Sequence, residues 1–202
     1  MAETPEWGEA RNSTMLKHHA GGMHHIGLVT LDIDKTLDFY TQKLGFKVAW
    51  CDISEAPKGG KIKHAFIDTG DGTLFAFMCP DKFPGVPEEF STDINKAQNL
   101  PNMLYHHAFG AESVEALEAR REELIGKGIE VTAVMNHGWC KSIYFRDPNG
   151  LQLEYCVSTR EFNEDDKIMK HRHQPGVEAK TQDDMKFFQA MLGSSGNPPP
   201  AK

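Results

Sequence analysis

No part of this 202-residue chain approaches the about 18 consecutive apolar residues that a membrane-spanning helix needs. Its N-terminus also lacks the basic-then-apolar pattern of a secretion signal. Cysteine is scarce. Cys51, Cys79, Cys140 and Cys156 stand far apart, with no C-x-x-C pair. That excludes a zinc knuckle or a redox dithiol and fits free thiols in a reducing compartment, so a cytoplasmic location is the expectation. Positive charge is short as well, with 22 Lys and Arg against 29 Asp and Glu and a formal charge of −7. Lys17 and the group from Lys58 to Lys63 are isolated, so no stripe of cations could track a phosphate backbone, and nucleic acid is excluded as a partner. Lys170-His171-Arg172-His173 is too short to alter this and reads as a solvated face. What remains, 39% hydrophobic and 25% charged, is an ordinary globular composition. The length allows one sizeable core or two small modules that share one.

Residues 1–22 are polar and read as a loose leader. From Met23 the pattern changes. MHHIGLVTL (23–31) has the aliphatic and β-branched content of a strand. DIDKTLDFYTQKLGF (32–46) follows as a helix with Asp32 or Asp34 as N-cap. Leu37, Phe39/Tyr40 and Leu44 form its buried side, and Gly45 closes it. FKVAWCDI (46–53), HAFIDTG (64–70) and TLFAFMC (73–79) are three strands, the last two joined by Gly70-Asp71-Gly72. Residues 81–102 carry three prolines and read as a linker or a lid, with Phe83 and Phe90 as the lid's contacts. The same order then recurs. MLYHHAFGA (103–111) is a strand, and SVEALEARREELIGKG (113–128) is a helix capped by Ser113 and ended by Gly126/Gly128. IEVTAVMN (129–136), WCKSIYFR (139–146) and LQLEYCVS (151–158) are strands. A charged extension, 159–202, holds a short helix over 182–192 and a Pro-rich tail.

His25 thus matches His106 and Gly72 matches Gly150, at offsets of 81 and 78 residues that one loop change reconciles. The expected class is α+β. Two βαβββ modules, 23–80 and 103–158, joined by linker 81–102, bury a joint core, and the pseudo-twofold is expected to bring their histidine strands together.

Adjacent strand residues point to opposite faces, so at most one of His24-His25 and one of His106-His107 can enter the same cavity. Glu154, in the otherwise apolar LQLEYC, would be costly to bury unless it is paired or bound to a cation. Two imidazoles and one carboxylate suit Fe(II), Mn(II), Zn(II) or Ni(II), and a facial set with open positions is the usual Fe(II) oxygenase arrangement.

HHIGLVTLDIDKTLDFYTQKLGF (24–46) resembles the opening of vicinal-oxygen-chelate proteins, the superfamily of glyoxalases, bleomycin resistance proteins and extradiol dioxygenases. The resemblance covers about Met23 to Ser158. It implies His25 and His106 as metal ligands, with His24 and His107 as fallbacks, and Glu154 in DPNGLQLE as the carboxylate ligand. The last hairpin is the more specific part. His137, Ile143-Tyr144, Asp147-Pro148-Asn149-Gly150 and Glu154 resemble the extradiol dioxygenase signature, departing from it at Met135. A type I turn with Gly150 left-handed would make a three-residue loop and set Tyr144 opposite Glu154, whereas a four-residue loop would turn Tyr144 away.

The resemblance implies an Fe(II)-dependent (or Mn(II)- or other metal-dependent) dioxygenase that cleaves a catechol-like ring with O2. Tyr144 would bind the substrate oxygen and His137 would shuttle a proton. Where a second, oxygen-side histidine would stand, the chain reads Gly70-Asp71-Gly72-Thr73, so either His64 on the preceding strand substitutes or the oxygen-side acid is missing. Ala76 occupies the position equivalent to Glu154, which argues against a four-ligand, glyoxalase-like site in one chain. Phe75, Phe77, Phe109 and Trp139 are either core or the walls of an aromatic cavity. The alternatives are a metal-dependent isomerase, epimerase or lyase on the same scaffold, and a small-molecule-binding resistance protein, against which the His, His, Glu set argues. Dimerisation is common for this architecture, and the extension after Ser158 would serve it or close the cavity.

Overall fold

Alternation of apolar residues builds the first strand of the computed structural model, β1 (His25–Val29), whose Ile26 and Leu28 face inward. The structure describes residues 23–178 together with Gln182, Met185 and Lys186, so the leader and most of the expected 182–192 helix lie outside the described residues. After β1, the Asp32 carboxylate accepts from the Lys35 amide and starts α1 (Ile33–Asp38). The expected helix continues, but as a π-helical turn, Phe39–Lys43. Its wider bonds, Leu44 N–H to Phe39 and Phe46 N–H to Tyr40, bury the adjacent Phe39 and Tyr40 together. Strands β2 (Lys47–Glu55), β3 (Lys61–Asp68) and β4 (Leu74–Asp81) complete a four-stranded sheet of order β1-β4-β3-β2, with β1 parallel to β4.

The second module repeats the plan. A short helix, α2 (Ile94–Ala97), interrupts the linker before β5 (His106–Gly110), α3 (Val114–Gly126), β6 (Val134–Asn136), β7 (Cys140–Arg146) and β8 (Gln152–Ser158). The register makes the repeat concrete. His25 pairs with Leu74 and Gly27 with Ala76, as His106 pairs with Gln152 and Ala108 with Glu154. The expected strand over 129–136 is shorter than its sequence. One backbone bond to β7 remains there, from the Thr132 amide to the Tyr144 carbonyl, while the Arg121 guanidinium donates to the Thr132 carbonyl and the Tyr144 amide donates to the Thr132 hydroxyl, so side chains take over part of the ladder. A strand with no counterpart in the sequence reading, β9 (Gly176–Glu178), pairs antiparallel with β6 and extends this sheet to the order β5-β8-β7-β6-β9.

One core joins the modules, from Tyr40, Ile67, Phe75 and Phe77 to Leu117, Leu124, Phe145 and Leu153. Phe75 meets the rings of His107 and Phe109 at 5.3 and 5.4 Å. Buried hydrogen bonds also cross the junction, from the Tyr40 hydroxyl to Asp147 at 3.1 Å and from the Asn149 amide to the Thr36 hydroxyl at 3.2 Å. Burial pushes the Tyr40 phenol well above its ordinary pKa, with the charge of Asp147 adding to it, so Tyr40 stays a donor. Tyr40→Phe is expected to cost about 1–3 kcal/mol, the usual range for a buried bond to a carboxylate. Urea denaturation measures it, and an unchanged midpoint would mean that Asp147 does not need this donor.

Candidate metal centre

The linker sets the start of β5. Asn95, buried on α2, accepts from the Tyr105 amide and donates to the Tyr105 carbonyl, both at 2.9 Å. One residue on, His106 places Nδ1 2.7 Å from the carbonyl of Met103, a bond in which the ring nitrogen must donate. Its Nε2 stands 3.1 Å from Oε2 of Glu154, a carboxylate only 5% exposed in the middle of β8.

Around the hairpin, the Gly150 amide donates to the Asp147 carbonyl, Asp147 and Leu151 close the loop, and Gly150 has φ +82°. This is the three-residue loop with a left-handed third residue. Tyr144 accordingly lies directly opposite Glu154 in the register. Its hydroxyl is 3.0 Å from Nε2 of His137, which sits in the β6–β7 turn beside left-handed Gly138. Burial raises the Tyr144 pKa and the nearby negative charge of Glu154 raises it further, so the phenol is held protonated. The C-terminal extension packs on this turn through Phe162 against Trp139, with ring centroids 4.9 Å apart. Farther along the same face of the sheet, Cys140 is buried and its thiol is pushed up to about 12, by burial first and then by neighbouring Cys156.

His25 is placed elsewhere. It lies on the other sheet, with Nδ1 2.9 Å from Nδ1 of His24 and its ring 5.5 Å from Phe66. Among the described residues no three His, Cys, Asp or Glu side chains converge as a metal site. The structure thus brings His106, Glu154, Tyr144 and His137 together and leaves His25 apart from them. His64 shares the face of His25, 3.8 Å from Asp52 and in ring contact with Phe66 and Trp50. His107, a fallback ligand, turns to the core side of β5, where burial and then His106 lower its pKa. There it lines a cavity of about 610 Å³ with Phe75, Phe109 and Tyr155. Of the four aromatics read as either core or cavity walls, Phe75 and Phe109 line this space. Phe77 is fully buried and Trp139 is taken by Phe162. The aromatics on the face that carries His25, Trp50 and Phe66, were not singled out from the sequence, although their spacing from Asp52 and His64 is the period-two signal of one strand face.

His106 and Glu154 fit a divalent cation. An imidazole whose second nitrogen is held by a carbonyl is oriented as metal-bound histidines are. Its other nitrogen and the carboxylate oxygen at 3.1 Å are two acceptors unless positive charge lies between them. In metal-free protein a proton takes that role. The bond to Glu154 raises His106 above its ordinary 6.5, against the opposing effect of burial. For Glu154 burial pushes upward, but the bonds from His106, Ser142 and Tyr144 outweigh it, and the net shift is below the ordinary 4.5.

The signs define a pH window. A raised histidine stabilises fully below 6.5 and loses that contribution as pH rises through its folded value. A lowered carboxylate stabilises fully above 4.5 and loses its contribution as pH falls through its folded value. With chelator present, the stability difference between native protein and Glu154→Gln should therefore peak between 4.5 and 6.5. Urea midpoints across pH measure this, and a flat difference would mean that the pair is not coupled.

Similarity to known proteins agrees with this layout. A family model described as Glyoxalase/Bleomycin resistance protein/Dioxygenase superfamily matches residues 22–155. The chain is 26% identical over 141 residues to Glyoxylase I 4 of Arabidopsis thaliana, spanning 68% of this chain and 71% of that protein. It is 31% identical over 134 residues to the uncharacterized protein YwkD of Bacillus subtilis (strain 168), spanning 65% and 93%. A solved glyoxylase/bleomycin resistance protein/dioxygenase domain from Frankia sp. EAN1pec shares the fold, with TM-score 0.50 at 20% identity over 68% of this chain and 98% of that one. No helix among the described residues is long and apolar enough to cross a membrane. With its repeated βαβββ modules and a family model that spans most of both, the chain belongs to the glyoxalase/bleomycin resistance/dioxygenase superfamily, which includes metal-dependent enzymes such as glyoxalases.

Proposed function

We propose that the protein is an extradiol-type dioxygenase that uses Fe(II), or Mn(II) in its place, to open a catechol-like ring. The observation that carries this reading is the placement of Tyr144 opposite Glu154, with its hydroxyl on His137. His106 and Glu154 would hold the metal, with His25 as third ligand. When bound, the metal supplies Lewis acidity that lowers the substrate's phenol pKa and gathers substrate and O2 at one point. The protein supplies the proton handling. Tyr144, kept protonated by burial and by Glu154, donates its O–H to the substrate oxygen. His137 Nε2, behind that hydroxyl, takes or returns the proton.

The third ligand comes from a second copy of the chain. The two sheets of one chain meet through the faces that carry Phe75 and Phe109, while His25 and Glu154 occupy the faces turned away from that joint core. A homodimer that opposes those two faces completes the site twice, as twofold symmetry requires. A metal-dependent isomerase or lyase is the second reading, favoured by the position of His64 on the half that carries His25.

Anaerobic loading with Fe(II), addition of a catechol panel and admission of air tests the reaction. Oxygen uptake with a new yellow absorbance is expected, with uptake and bound iron both lost in Glu154→Ala. His137→Phe should keep its iron and turn over about 10²–10⁴ times more slowly, the usual contribution of a positioned acid–base group. Iron binding without uptake on any catechol would overturn the dioxygenase reading in favour of the isomerase or lyase. Subunit sharing has its own test. His25→Ala and Glu154→Ala, each inactive alone, should recover up to about a quarter of native activity when unfolded and refolded together, because mixed twofold dimers hold one intact site. No recovery would place all three ligands within one chain.

A further inference from the structure

The half-site around His25 carries more than a ligand. Trp50, Asp52, His64 and Phe66 pair across β2 and β3 in register, Trp50 with Phe66 and Asp52 with His64, so all four project from one face. Phe66 stands between His25 and His64, with ring centroids 5.5 and 5.0 Å from them. His64 is therefore one aromatic ring removed from the candidate ligand. Trp50 lies edge-on to both Phe66 and His64, at 5.4 and 5.9 Å, yet is half exposed, an unusual cost for a tryptophan with nothing against it. The sharper observation is Asp52. Its Oδ2 accepts from the Ser54 hydroxyl, while its Oδ1 is buried without a hydrogen-bond partner. That oxygen faces Nδ1 of His64 at 3.8 Å, just beyond bonding range. A small movement of His64 would satisfy it.

We infer that Trp50, Phe66 and His64 form the subsite for the far side of the substrate ring, and that Asp52 positions His64 to recognise a hydrogen-bond donor there. The inference rests on the catechol reading above and adds the substrate's chemistry. Closing the Asp52–His64 pair fixes the imidazole proton on Nδ1 and leaves the Nε2 lone pair facing the ring. Trp50 and Phe66 hold the plane of the ring by edge and face contacts. The substrate is then a catechol that carries a hydroxyl, or a comparable X–H group, remote from the two oxygens that meet the metal.

The test compares 4-(hydroxymethyl)catechol with 4-methylcatechol, which share a ring and differ by one hydroxyl, binding without oxygen to the iron-loaded protein and read by tryptophan fluorescence. The native protein should bind the hydroxymethyl compound about 3–10 times more tightly, the span of one net hydrogen bond. His64→Phe and Asp52→Ala should abolish that preference with iron content unchanged. Asp52→Asn, which keeps an acceptor for Nδ1, should restore most of it. Trp50→Phe should remove the fluorescence response and, by competition with a coloured catechol, weaken both compounds alike. Equal affinities in the native protein, or a preference that survives His64→Phe, would overturn the subsite alone. Failure of both compounds to bind would overturn the catechol reading with it.

Discussion

Asp147 uses both carboxylate oxygens inside the fold. Oδ1 accepts from the Asn149 and Leu151 amides, which tightens the chain around Pro148 into a three-residue loop. Oδ2 accepts from the Asn149 side chain and from the Tyr40 hydroxyl of the other module. Loop length decides register, and in a sheet a shift of one residue exchanges the two faces. With this loop Tyr144 faces Glu154. With one residue more, Tyr144 would enter the core and Ile143 or Phe145 would face the carboxylate. The bond to Tyr40 ties the same turn to the π-helical segment of the first module, so one buried carboxylate serves both the site and the module junction. Burial raises its pKa even with these donors around it, which leaves little tolerance for losing any of them.

The alternation of strand side chains then divides the molecule between stability and chemistry. On β8, Leu153 and Tyr155 join the core while Glu154 does not, and on β5 His107 and Phe109 turn inward while His106 turns out. A carboxylate as buried as Glu154 is tolerated because His106 stands 3.1 Å from it and the nearby Ser142 and Tyr144 hydroxyls favour its charged form. In the first module the same register position holds Ala76, so the repeat has no second carboxylate there.

Much of this was legible because it follows from local rules. Strand period, the Asp-Pro-Asn-Gly turn, the Asp32 and Ser113 caps and the repeat of His25 at His106 each depend on a few neighbouring residues. The grouping of His106, Glu154, Tyr144 and His137 could be assembled from them, since one hairpin and one parallel pairing relate all four. What lay out of reach depends on distant contacts. Nothing in Gly176-Val177-Glu178 marks a strand, and it becomes one because β6 offers an edge. Strand pattern also says which residues share a face but not how two sheets meet. The pseudo-twofold expected to bring His25 to His106 is present in the register, yet the modules meet through Phe75, His107 and Phe109 instead.

The linker shows the same division. Its prolines suggested a linker or a lid, the latter with Phe83 and Phe90 as contacts, and its second half braces the start of β5. Asp93 and Asn102 bond to Arg146 on β7, and Asn95 clamps the backbone at Tyr105. Met103 is then held at φ +78°, in a region that costs a side-chain-bearing residue about 1–3 kcal/mol. That strain has a local return, because it turns the Met103 carbonyl onto Nδ1 of His106. An imidazole free to rotate would lose the tautomer that leaves Nε2 open toward Glu154. The brace holds that nitrogen in place before any cation arrives, so the ordering entropy is met during folding and not at binding.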